Sequence, residues 1–126
     1  MRARRFAPRV AAAIDASQIL GVRAGRASDH RFIGIWAVVV GGRVFARSWT
    51  RKPNGWYRTF LDDPLGAIAI SGREVRVRAR PVRSEKIRDA IERAYAEKYP
   101  TRGSQKFVRG FRGARRRETT MEFLPR

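Results

Sequence analysis

The sequence predicts a small α+β fold whose core is a half-barrel of strands over Phe32–Val82, flanked by helices. Three observations carry this. Phe32–Val40 is an almost unbroken apolar, β-branched run ended by Gly41-Gly42 and answered by the alternating segment Arg43–Trp49. So short a run suits a strand covered on both faces. A second pair of short segments, Gly66–Ile70 and Arg73–Val82, meets at Ser71-Gly72. By contrast, Pro8–Leu20 and Glu85–Tyr99 repeat their apolar residues at the helical period. A chain of 126 residues suits one domain. Its expected division is an N-terminal helix or arm (1–20), a barrel core (21–82), and helices with a closing strand (83–126).

In the first helix, Pro8–Leu20, the residues Val10, Ala13, Ile14, Ser17 and Leu20 share a face. Proline is tolerated in a first turn and Gly21 is a stop. Val22–Arg26 reads as a short extended piece, and Gly25–Arg31 as a polar turn holding Ser28-Asp29-His30. After the Phe32–Val40 strand, Gly41-Gly42 offers the positive φ angles of a tight hairpin. The returning strand sets Val44, Ala46 and Ser48 on one face, with Arg43, Phe45, Arg47 and Trp49 on the other. Thr50–Gly55 is turn-rich, and Asn54 is placed to cap a short helix, Trp56–Asp62, ended by Asp63-Pro64.

In the second hairpin Val75, Val77 and Ala79 face one way, and Arg76, Arg78 and Arg80 the other. Ser84 caps the longest helix, Glu85–Tyr99, whose buried stripe is Ile87, Ile91, Ala94, Tyr95 and the Lys98 stem. Arg88–Glu92 and Asp89–Arg93 are spaced as i,i+4 pairs on its wet side. Pro100 stops this helix. Ser104–Gly110 adds a further turn or two, a loop carries Arg112 and Arg115–Arg117, and Glu118–Leu124 closes the sheet. The strands number about six, mostly antiparallel.

Charge is the most extreme feature of the composition: 29 basic residues against 11 acidic, net +18. Such a field attracts polyanions, whether nucleic acid, anionic lipid or a phosphorylated small molecule. However, only Lys52, Lys86, Lys98 and Lys106 are lysines, and an arginine- and alanine-rich composition also follows from GC-rich coding. No helix-turn-helix, zinc finger or RNA-recognition aromatic pair accompanies the charge. The Arg76–Arg78–Arg80 ladder has no interleaved aromatic to stack bases. Nucleic acid is therefore a possible partner but not the favoured one. The absence of cysteine excludes disulfides and thiolate chemistry and fits a cytoplasmic setting. One histidine and no acidic cluster give no metal site. No apolar run reaches membrane-spanning length, and the N-terminus does not read as a secretion signal.

Two signatures fall in matching places. Arg43-Val-Phe-Ala-Arg-Ser-Trp49, a Lys/Pro/Gly loop and Trp56-Tyr57 resemble the strand–loop–helix of the deazaflavin-dependent nitroreductases. Leu61-Asp-Asp-Pro64, followed by Ile68-Ala-Ile-Ser-Gly-Arg-Glu-Val-Arg-Val-Arg-Ala79, resembles that family's next hairpin. The whole chain, with Gly21-Val-Arg-Ala-Gly25, His30-Arg-Phe-Ile-Gly-Ile-Trp36 and Ala94-Tyr-Ala-Glu-Lys-Tyr99, is more closely similar to the bacterial domain of unknown function 2255. The resemblance implies a split β-barrel of the FMN-binding type. It also implies a homodimer with the cofactor, FMN or a deazaflavin, at the interface. By position it implies that Arg47, Ser48, Trp49, Arg51, Lys52, Gly55, Trp56 and Tyr57 lie at the cofactor's corner.

Residue chemistry points to the same corner. Arg47, Arg51, Lys52 and Arg58 can hold a phosphate tail, guanidinium groups doing so bidentately. Trp49, Trp56 and Tyr57 can stack on a heteroaromatic ring, and Asn54-Gly55 offers backbone N–H groups at a helix start. His30 and Tyr57 are the candidate proton donors on the substrate side, while Tyr95 and Tyr99 belong to a buried helical stripe. The expected function is a flavin- or deazaflavin-dependent oxidoreductase passing hydride to a small organic substrate. Two alternatives stand beside it: a basic, non-catalytic nucleic-acid module, and a split barrel that has lost its cofactor and binds another small molecule.

Overall fold

The computed structural model describes residues 5–26 and 31–126. In chain order these form α1 (Pro8–Ala16), β1 (Leu20–Ala24), β2 (Ile33–Ile35), β3 (Ala37–Val40), β4 (Arg43–Ala46), α2 (Trp56–Asp62), β5 (Leu65–Ile70), β6 (Arg73–Pro81), α3 (Glu85–Lys98), α4 (Arg102–Phe111), α5 (Ala114–Arg117) and β7 (Met121–Pro125). The seven strands make one sheet in the order β2-β1-β5-β6-β7-β4-β3, antiparallel throughout. Its two edges, β2 and β3, are separated in sequence only by Trp36. A single residue cannot cross the width of a flat sheet whose strands lie almost 5 Å apart. The sheet therefore curls until its edges nearly meet, which is a split barrel.

The Phe32–Val40 run is thus two strands, not one. Trp36 interrupts it because its carbonyl accepts from the Tyr95 hydroxyl at 2.7 Å and its indole stacks on Tyr99 with centroids 4.1 Å apart. The first helix ends at Ala16, short of the expected Leu20. The Ser17 N–H closes on Ala13 and Ile14, its hydroxyl donates to the Ile19 carbonyl at 2.7 Å, and Leu20 becomes the first residue of β1. Ladder pairing of β4 stops at Ala46 rather than Trp49. The hairpin turns have φ of +59° and +76° at Gly41 and Gly42, and +52° and +74° at Ser71 and Gly72. These are the positive φ pairs that match strand twist. The α2 helix starts as expected, but Gly55 is its N-cap and no side chain caps it, so Asn54 does not. Arg115–Arg117, expected as loop, form the single turn α5.

Two cores result. Inside the barrel, Val22, Val44, Ala46, Ile68, Val77, Met121 and Phe123 pack with Ile14 of α1 and Trp56 and Phe60 of α2. Outside it, Val38 and Phe45 pack against Ile91, Tyr95 and Tyr99 and against Val108 and Phe111 of α4. Val77 and Ala79 face the interior, and Arg76, Arg78 and Arg80 face solvent. Ser84 caps α3 by accepting from the Ile87 N–H. The expected i,i+4 pairs of α3 give way to distant arginines: Glu92 bonds Arg47 and Arg117, and Asp89 bonds Arg117.

Glu122, 2% exposed on β7, lies in register between Phe45 and Arg80. Arg43 grips it bidentately at 2.9 and 2.8 Å, and Arg80 adds a contact at 2.9 Å. Burial alone would push this carboxyl up. The hydrogen bonds and charges of the two arginines outweigh it and hold the group below its ordinary value. A depressed folded-state pKa contributes stability that is complete above the unfolded-state value and lost as pH falls through the folded one. Glu122→Gln should therefore destabilise the protein at pH 7 and flatten the acid limb of its stability curve below about pH 4.3. Urea unfolding between pH 3 and 7 measures this, and parallel limbs for the two proteins would refute it.

Candidate functional site

Beyond Ala46 the β4 chain leaves the ladder and is fixed by side chains instead. The Arg47 N–H donates to the Tyr95 hydroxyl at 2.9 Å, and the Ser48 N–H to Thr119 Oγ1 at 2.8 Å. These bonds pin the corner to α3 and to the approach to β7. The Arg47 side chain is fully buried. Its guanidinium donates to Thr120 Oγ1 at 2.8 Å, the Phe111 carbonyl at 2.9 Å, the Arg88 carbonyl at 3.0 Å and Glu92 at 3.2 Å. Burial lowers its pKa, and Glu92 partly offsets this; a guanidinium stays charged regardless. Arg47 is a staple joining α3, α4 and the approach to β7. The expectation that it grips a phosphate is corrected: four of its five N–H groups are engaged inside the protein and its side chain has no exposure to solvent.

Trp49 emerges from this corner 43% exposed. Phe107 and Phe111 meet its ring edge-on at centroid distances of 5.2 and 5.6 Å, and the Arg116 guanidinium covers one face at 3.6 Å. Gly110 of α4 makes room for it: a Cβ there would come within 2.4 Å of Trp49 Cη2. Gly110→Ala should leave the fold intact, since alanine favours the helix by about 1 kcal/mol, while displacing the indole. The indole N–H resonance of Trp49 should shift strongly and those of Trp36 and Trp56 weakly. An unmoved Trp49 signal would refute this packing.

Trp49 walls an open cavity of about 410 Å³ together with Trp36 and Trp56, so all three tryptophans of the chain line it. Ile19, Ile33 and Phe107 complete its rim. Of the large hydrophobic side chains exposed among the described residues, only Leu61 lies elsewhere. Ser48 and Thr50 supply hydroxyls at the floor, but Ser48 Oγ is engaged with the backbone of Thr50.

The remaining expected site residues divide. Trp56 is buried and forms part of the wall, and Arg51 is exposed beside Trp49 in an adjoining cleft. Lys52 and Arg58 are exposed and line neither the cavity nor the adjoining cleft. The Gly55 N–H donates to the Lys52 carbonyl at 2.9 Å and is not free for an anion. Tyr57 is half-buried and packs against the barrel core rather than lining the cavity. His30 lies outside the described residues. The Tyr95 hydroxyl is pushed far above its ordinary range by burial and is a structural bridge. Trp36, Ile19, Ile33 and Phe107 were not foreseen at the site. Among the described residues no three His, Cys, Asp or Glu side chains gather as metal ligands, and no helix is long and apolar enough to cross a membrane.

The nearly closed antiparallel sheet and its flanking helices define a split β-barrel with an open cavity beside the Trp36 break between its two edge strands. Residues 10–123 match the family described as "Uncharacterized protein conserved in bacteria (DUF2255)", and the chain belongs to that family. No curated protein matches it significantly. Among solved structures it is similar to the conserved hypothetical protein Rv2991 from Mycobacterium tuberculosis, with TM-score 0.57 and 12% identity over 96% of this chain and 79% of that one. It is also similar to an FAD-binding protein from Mesorhizobium loti, with TM-score 0.55 and 11% identity over 99% and 92% of the two chains. At such identities the likeness is one of fold.

Proposed function

We propose that the cavity bounded by Trp36, Trp49 and Trp56 holds the ring of a flavin or deazaflavin, and that the protein is an oxidoreductase for a small organic substrate. The observation that carries this reading is the open, aromatic-walled cavity of about 410 Å³. Its size and lining suit a flat ligand, and indoles stack on heteroaromatic rings. The FAD-binding protein of the same fold supports it. The residues present fit the ring, through tryptophan faces and few competing polar groups. They fit an anionic tail through Arg51, not through Arg47.

When bound, such a cofactor supplies the hydride chemistry. The chain's own work is then to orient the ring with Trp49 and Trp56 and to exclude water with Ile19, Ile33 and Phe107. His30, three residues before Ile33 in the sequence, is the proposed proton donor; Tyr57 would have to leave the core to serve. A homodimer belongs to the same reading, with a second copy covering the exposed apolar rim. Sedimentation should then give twice 14.4 kDa.

The test is the visible absorbance of the purified protein, followed by titration with FMN, FAD and a deazaflavin cofactor while tryptophan emission is recorded. Saturable quenching by at least one is expected, and none by any would overturn the reading. A second reading draws on the solvent-facing Arg76, Arg78 and Arg80 of β6: polyanion binding that persists at physiological salt would favour it.

A further inference from the structure

Trp49 and Thr50 line a second cleft, of about 480 Å³, whose charged walls are Arg51, Arg115 and Arg116. The fold divides the Arg115–Arg117 run. Arg117 turns to α3 and pairs with Glu85, Asp89 and Glu92. Its neighbours stay on the Trp49 side. The Arg116 guanidinium stands over the indole at 3.6 Å and donates its Nε–H to the Trp49 carbonyl at 2.9 Å, while its terminal nitrogens make no hydrogen bond among the described residues. Arg51 and Arg115 are exposed. Among the described residues, none of the three is ion-paired.

Three cations about one cleft repel one another, and an anion placed among them turns repulsion into attraction. Another cleft shares Ile33 and Trp56 with the ring cavity and has Arg23 and Arg31. There Arg23 is already paired with Glu74 at 3.4 Å. The stronger unneutralised field is the one beside Trp49.

We infer that the Arg51–Arg115–Arg116 cleft is an anion subsite continuous with the ring cavity, so that the ligand is a flat aromatic molecule carrying a phosphate. The ring lies on one side of the Trp49–Thr50 wall and the phosphate on the other, where guanidinium groups take phosphate oxygens bidentately. The ring half of this ligand rests on the function proposed above; the phosphate half rests on the three arginines alone.

The test compares FMN, riboflavin and inorganic pyrophosphate on the full chain and on the Arg51→Gln/Arg115→Gln variant, both substitutions being at exposed positions. FMN should bind the wild-type protein about tenfold to a hundredfold more tightly than riboflavin. In the variant that gap should collapse while riboflavin affinity is unchanged. Equal wild-type affinities for FMN and riboflavin would overturn the subsite and leave the ring cavity standing. If neither flavin binds, the ring reading fails and pyrophosphate decides the subsite. Saturable shifts of the Trp49, Arg115 and Arg116 amide resonances, lost in the variant, would uphold it; no shift would overturn it.

Discussion

Arg47→Met should lower stability by about 3–5 kcal/mol, the range for breaking a buried ionic network by removing one partner. Against the roughly 5–15 kcal/mol that holds a domain folded, this is a large fraction. The melting temperature should drop by roughly 10–20 °C. The reasoning is local. Without the guanidinium, the Phe111 carbonyl at the end of α4 and Thr120 Oγ1 lose a charged donor inside the outer core. Glu92 keeps Arg117, so the loss is not that of a wholly orphaned carboxylate. Arg47→Lys should recover little, because one ammonium cannot reach acceptors on α3, α4 and the approach to β7 together. Calorimetry of the three proteins measures this. A methionine variant melting within about 3 °C of the parent would mean that Arg47 is not a staple.

The second large effect is expected at Phe60, 2% exposed on the inner face of α2. Its ring meets Trp56 and Phe123 at centroid distances of 6.2 and 5.8 Å. Gly66 of β5 lies beneath it, where a Cβ would come within 2.8 Å of Phe60 Cε1 and 2.5 Å of the Arg23 carbonyl. Glycine thus lets the ring settle on the strand backbone. Phe60→Ala should cost about 3–5 kcal/mol in cavity and lost transfer energy. It should also loosen Trp56, the cavity wall carried by the same helix. Urea unfolding gives the first quantity and the line width of the Trp56 indole resonance the second. A loss below about 1 kcal/mol would contradict the packing described.

The elements legible in the sequence were those set by local rules. Gly41-Gly42 and Ser71-Gly72 specify hairpins whatever surrounds them. Ser84 caps α3 by a bond to its own first turn, and α2 begins at Trp56 as the turn-rich loop implied. What escaped depends on partners remote in sequence. Trp36 splits an apolar run because Tyr95 of α3 and Tyr99 at its C-cap hold it. Alternation put Arg47 on the face of Phe45, but only the packing of α3 and α4 over that face makes it dry.

The candidate site divides in the same way. Trp49 and Trp56 could be picked out as aromatics beside a basic loop. Ile19, Ile33 and Phe107 could not, since Ile19 lay off the helical stripe, Ile33 opened a run that reads as buried strand, and Phe107 belonged to a short apolar helical turn; all three stay exposed at the rim. Arg115–Arg117 offer only a basic run in sequence, and it is the pairing of Arg117 with α3 that sets Arg115 and Arg116 beside Trp49.

If the tryptophan-walled cavity takes a flat ring, the chain carries its own reporters of it. Because all three tryptophans line that cavity, the indole N–H resonances of Trp36, Trp49 and Trp56 report on it during a flavin titration. All three are predicted to shift together and saturate at one ligand per chain. Indoles that stay in place while the flavin signal reports binding would put the ligand elsewhere and rule out the tryptophan-walled cavity as its site.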